Sequence, residues 1–190
     1  MWNAIIFGKE FYYIFYIFLL YSIFGWIYES CLVSVQKRSL VNRGFLNGPI
    51  LPIYGCAAVL LYLILWDHRY QYVLVFFGGA CVATALEYFT SWIMELLFHA
   101  RWWDYSKYPL NLKGRVCLPV SLFWGLLALF MLHVLQPGMN FIIESIPKNI
   151  GEICGYVIVP VIIADIIVTS INTVKLDQLL TKLHGLRQDM

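Results

Sequence analysis

The sequence predicts an all-α, polytopic membrane protein with five transmembrane helices, ordered cytoplasmic loops and an amphipathic C-terminal helix. Three observations carry that reading. Of the 190 residues, 61% are hydrophobic and only 13% charged, about half the charge of an average soluble domain. The apolar residues fall into five stretches of spanning length, and the basic residues sort between them with one strong polarity. Length alone gives one domain, with residues 1–174 as the transmembrane part and 175–190 as a cytoplasmic amphipathic tail.

The five stretches are Tyr12–Val35, Ile50–Trp66, Tyr72–His99, Val116–Leu135 and Glu152–Val174, each near or above the roughly 17 to 25 residues that a tilted span requires. The first is too long for a cleaved leader, lacks a small-residue cleavage site and carries Lys37 and Arg38 on its far side, so it is expected to remain as an anchor. The second is the shortest and opens on Pro49, Pro52 and Gly55, which predicts an irregular first turn lined by protein or water. The third exceeds a bilayer and should tilt or project. In the tail, Leu176, Leu179, Leu180, Leu183 and Leu186 recur at helical spacing among polar residues, which suits a helix on the headgroups or against a partner.

Orientation follows from the cations. Lys37, Arg38 and Arg43 follow the first stretch, Arg101, Lys107, Lys113 and Arg115 the third, and Lys175, Lys182 and Arg187 the fifth, whereas Lys9, Arg69 and Lys148 lie on the other side. This distribution predicts an extracytoplasmic N-terminus and a cytoplasmic C-terminus in a membrane of the bacterial inner-membrane type.

The composition excludes several functions. No basic nucleic-acid module is present, and the net charge of +2 is unremarkable. The five cysteines, Cys31, Cys56, Cys81, Cys117 and Cys154, have no CxxC or close histidine, so they read as small apolar residues and neither a metal nor another cofactor is expected. GxSxG, HExxH, Walker A and GxGxxG are all missing, which points away from an enzyme and leaves catalytic residues unassigned.

The informative residues are polar ones inside spans. Thr84, Glu87, Ser91, Glu95 and His99 form one stripe on the third helix, Ser22, Trp26 and Glu29 another on the first, and Asp165, Thr169, Asn172 and Thr173 a third on the fifth. Under the predicted orientation all three stripes lie in cytoplasmic halves. A carboxylate at mid-helix costs about 2.5–3.5 kcal/mol on insertion scales, so these acids require cations, donors, protons or water. Arg43, Arg101 and Arg115 are the expected partners, and the N-termini of the second and fourth helices point toward the same region. Two readings fit: a polar cavity open to the cytoplasm, or ion pairs that only hold the bundle together.

The two connecting loops fit both readings. Loop three, ARWWDYSKYPLNLKGR (100–115), combines the interfacial rings Trp102, Trp103, Tyr105 and Tyr108 with Asp104, Asn111 and Arg115, as a folded lid would. Loop one, NRGFLNGPILPIYG (42–55), offers Arg43 to an anion and glycine backbone for close approach near Asn47.

Three blocks are familiar: GFLNGPILPIYG (44–55), EYFTSWIMELLF (87–98) and RWWDYSKYPLNLKGRVCL (101–118). They resemble the CmpB family of small membrane proteins, described as putative type IV ABC-transporter components, over about residues 10–175. The resemblance implies a permease-like role beside an ATP-hydrolysing partner. It singles out Asn47, Pro49, Tyr54, Glu87, Glu95, Arg101, Trp102, Trp103, Asp104, Tyr105, Asn111 and Arg115.

The expected function is therefore a transporter component binding a small polar or amphiphilic ligand. The expected ligand residues are Glu29, Arg43, Asn47, Glu87, Ser91, Glu95, Arg101, Trp102, Trp103, Asp104, Tyr105, Asn111, Arg115 and Asp165. One alternative is a membrane-embedded enzyme acting on a lipid or isoprenoid head group, with Glu87 or Glu95 as base. Another is a non-catalytic interaction protein. Membrane lipids, an ATPase subunit and a second copy of the chain are the partners to consider.

Overall fold

The computed structural model describes the backbone of residues 1–188 and the side chains of residues 1–176, 178 and 179. The protein is built from α1 (Phe11–Lys37), α2 (Pro52–Leu65), α3 (Tyr72–Phe98), α4 (Leu118–Ser145) and α5 (Lys148–Gln188). Four of these are long and apolar enough to cross a membrane: α1, α3, α4, and α5 as far as Leu176. The shorter apolar stretch is Pro52–His68, which is α2 closed by a 3-10 turn at Trp66–His68. Its 17 residues rise about 25 Å, slightly less than a typical hydrocarbon core.

Neighbouring helices pack where one of them is thinned to glycine. A Cβ at Gly55 of α2 would run into Ser22 Oγ and the Phe18 carbonyl of α1, and one at Gly25 of α1 into the Tyr54 ring of α2. The α3·α4 contact is similar, with Gly79 against Ala128 and Gly125 against the Phe76 carbonyl. Such close approach replaces hydrophobic driving force, which is weak between helices in lipid, with dispersion contacts. Tyr12, Phe15, Tyr16, Ile17, Leu61, Tyr62, Leu65, Val75, Leu132 and Ile143 form the buried core of the bundle.

Three features depart from the expected elements. The fourth helix does not stop near Leu135 but runs ten residues further to Ser145. A π-helical turn at Met131–Leu135 precedes Pro137, and that wider turn absorbs the proline's missing N–H and its ring clash. Two short antiparallel hairpins also appear, β1 (Ile5–Ile6) with β2 (Lys9–Glu10) and β3 (Asn111–Leu112) with β4 (Val116–Cys117). Finally, the backbone of the C-terminal segment continues α5 without a break at residue 174. Leu176 and Leu179 are exposed, and the remaining leucines of the expected amphipathic face lie outside the described side chains.

The helix ends that open the two loops are alike. α1 ends with Arg38 at φ 52° and α3 with His99 at φ 52°, left-handed caps that turn the chain back over the bundle. Ile50 and Leu51 are buried before α2 begins at Pro52. The Leu51 amide donates to the Ser22 carbonyl at 2.9 Å, which pins loop one to α1. Salt bridges mark the two ends of α1 and α2. Asp67, just past α2, lies 3.5 Å from Lys9 before α1, while Arg43 pairs with Glu29 at the opposite end. The two helices are therefore antiparallel along the whole length of α2.

Candidate functional site

Four carboxylates of the apolar helices are each reached from a loop, Glu29 and Glu95 by arginines, Asp165 by backbone amides and Glu87 by a hydroxyl. Glu29 on α1 accepts from Arg43 Nε of loop one at 3.2 Å and from the Tyr54 hydroxyl of α2 at 2.8 Å. The adjacent Ser30 Oγ accepts the Arg43 amide at 3.1 Å, so loop one is held through backbone as well as charge. Trp26 Nε1 donates to Asn42 Oδ1 at 2.6 Å one turn further back.

Asp165 on α5 has no cation among the described residues and is bound by loop-one amides instead. The Gly48 amide donates to Oδ2 at 2.8 Å, and the Asn47 amide and side chain donate to Oδ1 at 3.2 and 3.0 Å. Asn47 Nδ2 also reaches Thr169 Oγ1 at 2.7 Å. Successive N–H groups converging on one carboxylate form an anion nest. The sequence argument expected helix N-termini here, and the preceding loop provides the donors.

On α3, Glu95 and Glu87 are two turns apart and differ sharply. Glu95 takes both arginines of loop three, Arg101 Nε at 2.8 Å and Arg115 at 2.6 Å. Arg115 is the better buried of the two, lies over the Tyr88 ring at 5.4 Å, and has its guanidinium held protonated beyond its ordinary range by Glu95. Glu87 is only 6% exposed. It accepts from two neutral donors, the Tyr105 hydroxyl at 2.9 Å on Oε1 and Trp124 Nε1 of α4 at 2.9 Å on Oε2. Of the cations expected as partners of these acids, Arg101 and Arg115 both pair with Glu95 and neither pairs with Glu87, because both lie near the helix end, where Glu95 meets them first. Ser91, between the two acids in sequence, is also buried.

Loop three is a folded unit. Asn111 Nδ2 donates to the Tyr108 and Ser106 carbonyls, and Asn111 Oδ1 accepts the Gly114 amide at 3.0 Å. Asp104 Oδ1 accepts the Ser106 amide at 2.9 Å and also its hydroxyl, and these bonds hold the Asp104 carboxyl below its ordinary value. Trp103 Nε1 donates to the Arg115 carbonyl at 3.0 Å. Trp102 packs on Phe98 and on Phe45 of loop one, each with centroids 5.8 Å apart, so an aromatic contact joins the two loops. Burial, and next the Glu87 carboxylate, push the Tyr105 hydroxyl above its ordinary range; Glu29 adds a smaller push in the same direction. The loop-one and loop-three clusters are therefore electrostatic neighbours.

The structure joins many of the residues that the sequence singled out as separate pairs and clamps, Glu29 with Arg43, Asp165 with Asn47, Glu95 with Arg101 and Arg115, and Glu87 with Tyr105, whereas Ser91 is placed near them only by its position on α3. It adds Trp124, Tyr88, Ser30, Trp26 and Asn42, which sequence reasoning did not place among ligand residues. Trp124 had no usable signal, because one tryptophan in an apolar helix is indistinguishable from core. Tyr54 stood in the familiar block around Asn47, and its contact with Glu29 accounts for its place there.

Fold and polar end together define a multi-pass helical membrane protein whose two loops are latched to intramembrane carboxylates. The chain belongs to the CmpB family, described as "Putative ABC-transporter type IV", whose model it matches over residues 16–170. No curated protein and no solved structure matches it.

Proposed function

We propose that the chain is the permease-like component of a transporter and binds a small polar or amphiphilic ligand at Glu87, beneath loop three, from the cytoplasmic side. The observation that supports this is the environment of Glu87. A carboxylate buried at mid-helix with only neutral donors lacks the counter-charge that a purely structural acid acquires, whereas Glu95, eight residues away, has two arginines. Its two donors come from different elements, so movement of loop three frees Oε1 and leaves Oε2 positioned by α4.

In this reading α2 is a fifth crossing, consistent with its antiparallel run beside α1, and loops one and three face the cytoplasm with seven of the thirteen cations, the C-terminal segment carrying three more on that side. Family membership makes an ATPase subunit the natural energy source, docking on that loop face. The headgroup-enzyme reading has less support, because the two arginines it would use on phosphate are already engaged by Glu95.

Glu87→Gln tests the proposal. The variant keeps shape and hydrogen-bonding capacity while removing the charge. Small molecules retained by the purified wild type and variant are extracted and compared by mass spectrometry, alongside their thermal unfolding. The expected outcome is loss of a wild-type-bound compound from a variant that still folds, with a melting temperature lowered by no more than the exchange of a charged for a neutral hydrogen bond. An unchanged set of bound compounds, with a lowered melting temperature, would show Glu87 to be structural.

A further inference from the structure

At the end of the bundle opposite the loops, an open cleft of about 350 Å³ is bordered by Lys9, Glu10, Tyr13, Tyr62, Trp66 and Glu144. Neither the proposed transport site nor the family match assigns it a role. Three of its borders are aromatic rings in series: Tyr13 and Tyr62 have centroids 5.8 Å apart, and Tyr62 and Trp66 5.3 Å apart. Consecutive ring faces with a carboxylate beside them are the surroundings that attract an organic cation.

The carboxylates are not equivalent. Glu10 is paired with Lys148 at 2.8 Å, and the nearby Asp67 lies 3.5 Å from Lys9. Arg69, outside the cleft, stacks on Trp66 and Tyr70 and donates to the Trp66 carbonyl. Glu144 alone among the cleft's acids has no cation partner among the described residues.

An ammonium group already occupies this aromatic wall. Lys9 Nζ lies over the Tyr62 ring, 5.6 Å from its centroid. Its other partner, Asp67, is 73% exposed, so the solvent-screened pair holds Lys9 only weakly. A flexible lysine on a two-residue hairpin can swing out, and its place suits another ammonium group.

We propose that this cleft is a second binding site, selective for an organic ammonium group, in which Tyr13, Tyr62 and Trp66 provide ring faces, Glu144 provides the counter-charge, and Lys9 is an intramolecular competitor. The ammonium belongs either to a free small amine or to the headgroup of a lipid in the outer leaflet. Both present the same chemistry to the cleft.

The full chain is purified in nanodiscs of phosphatidylglycerol, which carries no ammonium, and titrated with tetramethylammonium and with choline by calorimetry. In parallel, nanodiscs containing equal phosphatidylethanolamine and phosphatidylglycerol are analysed by native mass spectrometry for the lipid retained. Saturable binding of the free cations identifies a soluble ligand, and selective retention of phosphatidylethanolamine identifies a headgroup; either supports the site. Glu144→Gln should weaken whichever is seen about two- to fivefold, as an exposed ion pair allows, and Lys9→Met should strengthen it. Because Glu144 is exposed, its substitution should leave folding intact, as size exclusion and circular dichroism verify. Absence of both signals in the wild type overturns the proposal, as does binding that Glu144→Gln leaves unchanged. If Lys9→Met weakens binding, Lys9 is a ligand-holding residue and not a competitor, which also refutes the assignment.

Discussion

The hydrogen bond from Tyr105 to Glu87 should be worth more than an ordinary polar contact, and a double-mutant cycle measures by how much. Tyr105→Phe removes only the hydroxyl that donates at 2.9 Å to a carboxylate 6% exposed. Hydrogen bonds to charged groups contribute about 1.5–3 kcal/mol, against about 0.5–1.5 for neutral pairs. In Glu87→Gln, the amide oxygen can still accept from Trp124 while its nitrogen donates to the Tyr105 oxygen, so a neutral bond remains. Tyr105→Phe should then cost about 2 kcal/mol on the wild-type background and about 1 kcal/mol on Glu87→Gln, a coupling of about 1 kcal/mol. Reversible unfolding in mixed detergent micelles, followed by circular dichroism, resolves that difference. Equal costs on both backgrounds would mean that Glu87 is neutral in the resting protein, and the argument from an anion without counter-charge would fail.

Three further outcomes follow from the same geometry. A reporter active only outside the cytoplasm should function at the N-terminus and fail at the C-terminus, whereas a C-terminal fluorescent protein should be bright; the reverse pattern would relocate the polar end. The backbone of residues 101–115 should exchange hydrogen slowly, because Asn111, Asp104 and the β3–β4 pair hold it; the Asp104 bonds are present above its ordinary value of 3.8 and are lost as pH falls through its lowered one, so Asp104→Asn should raise exchange at the Ser106 amide even at neutral pH. Gly55→Ala should destabilise the α1·α2 pair, since overpacking against the Phe18 carbonyl costs about 1–3 kcal/mol while helix propensity returns at most about 1 kcal/mol, and a more stable variant would refute the close crossing.

What the sequence could and could not reveal divides along physical lines. Helices α1 and α3 were legible because their apolar length is sufficient and polar residues at Lys37 and His99 mark their C-terminal ends. The extension of α4 was not: the apolar stretch read from the sequence ends at Leu135, and a π-helical turn lets the helix continue past Pro137 to Ser145. The carboxylates of α1, α3 and α5 were legible as stripes, because helical periodicity fixes which residues share a face. Partner choice was illegible. Arg115 and Glu87 look well placed for each other along the chain, yet the left-handed turn at His99 brings loop three back so that its arginines meet Glu95, and Tyr105 alone reaches down to Glu87.

That division of labour on α3 makes a further, opposite-signed effect of Tyr105→Phe unavoidable under the proposed function. Glu95 anchors loop three by charge near the surface, while Glu87 is covered by a single hydroxyl from the same loop. A ligand donor reaching Glu87 Oε1 must displace Tyr105, whereas Trp124, rooted in α4, continues to hold Oε2. Removing the Tyr105 hydroxyl therefore removes the ligand's competitor, so the variant that is less stable should retain the bound compound more tightly. The gain is bounded by the energy of the displaced bond, about 1.5–3 kcal/mol, or roughly ten- to a hundredfold in affinity. Arg115→Met should loosen loop three as well but leave the Tyr105 hydroxyl in place, and so raise affinity less. If Tyr105→Phe instead loses the bound compound while Glu87 remains intact, the hydroxyl contacts the ligand directly and Tyr105 belongs to the site's binding groups, not to its lid.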